Sequence, residues 1–137
     1  AAIAVSKIES MIKEPSIDDM NQAIAIFDGW EKKKREYVKG GYHRYLWEFE
    51  YHQRWDALMP VVIKIGNLRV KSSTSYNSDL MFRIEIVNGY TAIEGATEKI
   101  FFNSSVEGSM LMATYKAVYQ FITWLNQQAT TNGNENV

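Results

Sequence analysis

The stretch MFRIEIVNGYTAIEG, residues 81–95, decides the fold. Apolar and polar residues alternate from Phe82 to Ile86, and Asn88-Gly89 is the pair that a tight two-residue hairpin turn favours. Such a turn sets the register: Val87 faces Tyr90, Ile86 faces Thr91, Ile84 faces Ile93 and Arg83 faces Glu94. Phe82, Ile84, Ile86 and Ile93 then share one face that must be covered, while Arg83 and Glu94 pair on the other. EKIFF (98–102) reads as the next strand and LRVK (68–71) as an earlier one, set apart by the polar loop SSTSYNSD (72–79). The sum is an antiparallel meander of about four strands.

Helices flank it. Ser16 with Asp19 forms a capping-box pattern, Ile17, Met20, Ile24 and Phe27 make one stripe, and Gly29 closes the helix 17–28. Trp55, Leu58, Met59, Val62 and Ile65 give a second helix, with Pro60 in about its first turn and Gly66-Asn67 at its end. From Ser109 to Gln127 a wide apolar stripe through Leu111, Val118, Phe121 and Leu125 gives the longest helix. These predict an α+β domain over 16–127, with the stripes at 55–65 and 111–125 covering the sheet. Residues 3–13 read as an additional amphipathic helix within a 1–15 extension, and the polar tail 128–137 as disordered.

The chain has 137 residues, a net charge of −1 and no cysteine. One core suffices at this length, and thiolate metal sites, disulfides and cysteine nucleophiles are excluded. No apolar run approaches a membrane span, so the expectation is a cytoplasmic protein without a membrane partner. P-loop, G-x-G-x-x-G, G-x-S-x-G and H-E-x-x-H patterns are absent, and no cofactor is implied.

Residues 30–55 depart from ordinary composition: they hold eight of the eighteen aromatic residues, and seven basic against four acidic side chains. Lys32, Lys33, Lys34 and Arg35 form a run ahead of the turn signal Lys39-Gly40-Gly41, and YLWEFEY (45–51) alternates as a strand would. Trp30, Lys32, Lys33, Lys34, Arg35, Tyr37, Tyr42, Arg44, Tyr45 and Trp47 are therefore the candidate partner-binding residues. Trp, Tyr and Arg dominate protein hot spots, and cations interleaved with rings also suit nucleic acid. The bland alternative is that the rings are core and the lysines a solvated turn. On a strand, Glu48, Glu50 and His52 would share a face and could ligate a metal in adjacent pairs, and His43 with His52 could trade protons near neutral pH.

Three segments, DDMNQAIAIFDGW (18–30), WDALMPVVIKI (55–65) and ATYKAVYQFITWLN (113–126), occur in a familiar order and spacing. Over about residues 17–126 the chain resembles small proteins with the phage ABA sandwich domain, found in bacteriophages and prophages, notably those of gut Bacteroidetes. The resemblance implies a layered α+β fold and the cytoplasm of an infected or lysogenic bacterium. It brings no catalytic residue, since that family has no assigned function, and it leaves helix 3–13 as an addition.

Three functions follow as expectations. The first is a non-enzymatic protein that binds a host or phage protein through 30–55, to counter host defence or redirect host machinery. The second is a module that binds nucleic acid or sequesters a signalling nucleotide through the same residues. The third is a small metal-dependent enzyme using Glu48, Glu50 and the histidines. A homodimer through the apolar face of residues 3–13 is also expected.

Overall fold

The computed structural model describes residues 15–68, 70–71, 79–95 and 101–135, so the expected helix 3–13 and any pairing through it lie outside the described residues. Helix α1 (Ile17–Phe27) begins at the expected capping box: Asp19 N–H donates to Ser16 Oγ at 3.1 Å and Ser16 N–H to Asp19 Oδ2 at 3.3 Å. It ends with Gly29 at φ +105°, where Trp30 N–H reaches back to the Ala25 carbonyl and Gly29 N–H to that of Ile26. This paired closure turns the chain sharply and drops Trp30 onto the helix it has just left.

A small antiparallel sheet follows, β1 (Glu31–Lys33), β2 (Glu36–Lys39) and β3 (Tyr42–Arg44). Both connections are two residues long, Lys34-Arg35 and Gly40-Gly41. A single 3-10 turn (Leu46–Glu48) leads to α2 (Trp55–Asn67). Two-residue strands β4 (Val70–Lys71) and β5 (Asp79–Leu80) pair with each other. The main meander is β6 (Phe82–Val87), β7 (Tyr90–Gly95) and β8 (Phe101–Ser105), closed by α3 (Met110–Glu135). The architecture is α+β, with helices on antiparallel sheets.

The hairpin register is the expected one, pair for pair, from Val87 opposite Tyr90 to Arg83 opposite Glu94. Phe82 and Ile93 are buried on its core face, Ile84 and Ile86 half-buried, and α2 and α3 supply the cover. Phe121 is the hub, meeting Phe82 edge-on at 4.8 Å, Phe102 at 5.8 Å and Phe27 of α1 at 6.4 Å. Two hydroxyls share this face without strain on the polar accounts: Thr114 donates back to the Met110 carbonyl, leaving Thr91 to donate to Thr114 at 2.9 Å. On the outer face Arg83 and Glu94 form the expected pair, 3.6 Å apart and exposed.

Four expectations need correction. The sheet reading of about four strands resolves into two three-stranded sheets and the separate β4–β5 ladder, because Val70 and Lys71 pair with Leu80 and Asp79 and not with the meander. Residues 45–51 do not form a strand: one 3-10 turn interrupts them. Pro60 is the sixth residue of α2, not part of its first turn, so the Asp56 carbonyl lacks its usual helical donor. Helix α3 continues to Glu135 through the tail expected to be disordered, since lengthening an existing helix adds a bond for each residue ordered.

Candidate functional site

The site is built on the turn at Gly29. With Trp30 pressed onto α1, the β1–β3 sheet stands over residues 49–51, and strand pairing sorts its side chains. Lys32, Tyr37, Lys39, Tyr42 and Arg44 share the inner face; Glu31, Lys33, Glu36, Val38 and His43 share the outer one. Under the inner face lies a layer of rings. Phe49 takes Trp30 edge-on at 5.2 Å and Tyr37 edge-on at 5.4 Å, and stacks with Tyr51 at 5.7 Å. The Arg44 guanidinium caps the layer, 5.1 Å from the Trp30 ring centroid and 5.9 Å from that of Phe49.

Residues 49–52 are tied to the body by Asn21, a buried polar residue within the apolar stripe of α1. Its Nδ2 donates to the Phe49 carbonyl at 3.1 Å and to His52 Nδ1 at 3.2 Å. The second bond requires Nδ1 to be the unprotonated ring nitrogen. The Tyr115 hydroxyl of α3 lies 2.9 Å from Asn21 Oδ1 and 3.2 Å from the Ile17 carbonyl. One amide thus joins α1, α3 and the site segment. Burial pushes the Tyr115 hydroxyl well above the usual tyrosine range, and the Asp18 charge adds to it.

Between the inner face, the 3-10 turn and the start of α2 opens a cleft of about 710 Å³. Its floor is the Tyr51 hydroxyl, which donates to Asp28 Oδ2 at 2.8 Å, while Lys39 Nζ stands 3.5 Å from Asp28 Oδ1. Burial, then the hydrogen bond to Asp28 and its charge, push Tyr51 far above its ordinary value. The far wall is Arg54, which grips Asp56 through two bonds of 2.7 and 3.0 Å and reaches Glu50 at 3.3 Å. That grip holds the Asp56 carboxyl below its usual range. Trp47 forms the rim, stacked almost parallel on Tyr45 with centroids 6.2 Å apart.

The structure divides the ten candidate binding residues. Trp30 is only 7% exposed and Tyr37 only 2%, so neither can serve as a surface anchor; both are spent on the ring layer over Phe49. For these two the bland reading holds. Tyr42 and Trp47 are 75% and 76% exposed and Tyr45 is 46% exposed. Lys32, Lys33, Lys34 and Arg35 are exposed, with Lys34 at φ +57° in the tip, and Arg44 is exposed at the cleft mouth. Lys33 points away from the cleft with the outer face, where His43 Nδ1 meets Glu36 at 3.5 Å.

The three metal candidates are not brought together. Glu48 Oε1 accepts from the Tyr45 N–H at 2.9 Å, Glu50 goes to Arg54, and His52 Nδ1 is taken by Asn21. Among the described residues no group of three or more histidine or acidic side chains could hold a metal ion. His43 and His52 are likewise committed to different partners on different faces.

Asn21, Asp28 and Asp56 shape the site yet stand out in no motif, while Lys39, Tyr51 and Arg54 lie in the aromatic and basic stretch without being singled out as site residues. Only the spacing of Arg54 to Glu50 and Asp56 carried a local signal, as an i,i+4 pair and a near neighbour. No helix among the described residues is long and apolar enough to cross a membrane. Comparison with protein-family models, curated proteins and solved structures yields no match to this chain.

Proposed function

We propose that this protein is a non-enzymatic interaction protein that grips a protein partner at the mouth of the cleft. One observation carries the reading: Tyr42, Tyr45 and Trp47 are large exposed rings carried by β3 and the 3-10 turn that follows it, and exposed Arg44 lines the cleft with Trp47. Exposed rings with an arginine are the side chains that dominate binding hot spots, and a rigid support lowers the ordering cost of using them. Lys32–Arg35 would steer approach without making the contact. Following the resemblance, the partner is a host or phage protein met in the cytoplasm of an infected or lysogenic bacterium.

The second reading, nucleic-acid or nucleotide binding, draws on the same exposed rings and on Lys32–Arg35. Four carboxylates, Asp28, Glu48, Glu50 and Asp56, line the cleft and count against a phosphate chain there.

Two measurements test the proposal. Tyr42→Ala/Trp47→Ala and the wild-type chain, matched by circular dichroism, are used to capture proteins from a lysate of the organism carrying the gene. A protein retained by wild type and reduced about tenfold or more by the variant is expected; equal recovery overturns the reading. Titration with oligothymidylate at about 50 and 200 mM salt should show no binding, and salt-sensitive binding there would favour the second reading.

A further inference from the structure

Resting on that reading, we propose that Arg44 is the anchoring contact, and that it receives a carboxylate from a partner segment in which acidic and aromatic residues alternate. Three cations line the cleft, and two are already neutralised: Lys39 by Asp28, and Arg54 by Glu50 and Asp56. Arg44 has no carboxylate within ion-pair distance among the described residues. Its charge rests on Trp30 and Phe49, both buried, so the fork is positioned before any ligand arrives. A planar guanidinium fixed in this way offers paired N–H donors to a carboxylate, a geometry that lysine cannot reproduce.

The surroundings choose among anions. Residues 31–44 carry six cations against two carboxylates, which draws a negative group towards β1–β3. The opposite wall carries Glu48, Glu50 and Asp56 against the one cation Arg54, and this excess of negative charge repels a chain bearing a charge at every unit. A single carboxylate can therefore settle at Arg44 only if its neighbours are uncharged, and the Tyr45–Trp47 stack beside it offers those neighbours an apolar seat. An acidic–aromatic peptide meets both conditions, and an oligonucleotide fails the second.

The probe is a labelled peptide of alternating glutamate and phenylalanine, with lysine–phenylalanine and all-glutamate peptides as controls, followed by fluorescence anisotropy on the full chain. Binding of the first peptide above both controls is expected. Arg44→Gln should weaken it about tenfold or more, while Lys39→Gln, which removes a charge already paired, should cost less than about threefold. Should Arg44→Gln fail to fold by circular dichroism, Arg44→Lys is used, and a comparable loss with the charge retained supports the fork. No binding of the glutamate–phenylalanine peptide, equal losses in the Arg44 and Lys39 variants, or stronger binding of oligothymidylate overturns the proposal. If lysate capture still depends on Tyr42 and Trp47 while this peptide does not bind, the anchor chemistry alone is wrong; if capture is also indifferent to those rings, both readings fall.

Discussion

Asn21 shows how much one side chain can hold. Its amide satisfies the Phe49 carbonyl and His52 Nδ1, and its oxygen takes the Tyr115 hydroxyl. An unpaired buried polar group costs roughly 1–3 kcal/mol. Asn21→Leu, which strands the Phe49 carbonyl and leaves the Tyr115 hydroxyl only the Ile17 carbonyl, is therefore expected to lower unfolding free energy by about 1–3 kcal/mol in urea titration. The tyrosines add a pH dependence. Tyr37, Tyr51 and Tyr115 all have raised values, led in each by burial, from an ordinary 10.0. Below that pH the hydroxyls keep their protons in both folded and unfolded chains, so nothing is lost. Above it the unfolded chain sheds protons that the folded chain retains, and unfolding is favoured as pH rises. The urea midpoint should hold from pH 8 to about 10 and fall beyond it, with Tyr51→Phe shallowing the fall; a midpoint flat through pH 11 would contradict this.

At the scale of elements, the β6–β7 hairpin was legible because two independent rules coincide there: the turn sets the register and the apolar residues agree with it. Gly89 is the residue that both depend on. At φ +83° it occupies backbone space that other residues enter at a cost, and an added Cβ would sit 3.2 Å from the Val106 carbonyl oxygen. Gly89→Ala should lower the unfolding free energy by about 1–2 kcal/mol, read from thermal denaturation. Residues 45–51 show why alternation alone misleads. Tyr45, Trp47, Phe49 and Tyr51 share a parity that on a strand would place them together. The 3-10 turn at 46–48 rotates the chain, so Tyr45 and Trp47 emerge into solvent while Phe49 and Tyr51 turn inward. The rings were visible in the sequence, but their division between core and surface was not. Asn21 was invisible for a related reason: only tertiary contact distinguishes a polar residue in an apolar stripe from one at its edge.

For the whole molecule, the cleft draws on four separate parts of the chain: the end of α1, the β1–β3 sheet, the 3-10 turn and the first turns of α2. None of these announces the others locally, so the α+β class could be read from periodicity while the cleft could not. The site and the core are nonetheless continuous, since Phe49 touches Trp30 and Tyr37 while its carbonyl is held by Asn21. The unequal placement of two indoles gives the protein a pair of built-in optical sensors. Trp47, in water, should respond to acrylamide and to an arriving partner, whereas buried Trp30 should be shielded from acrylamide until the chain melts. Occupancy and denaturation can thus be followed in one cuvette, each by its own fluorophore, once single-tryptophan replacements assign the emission.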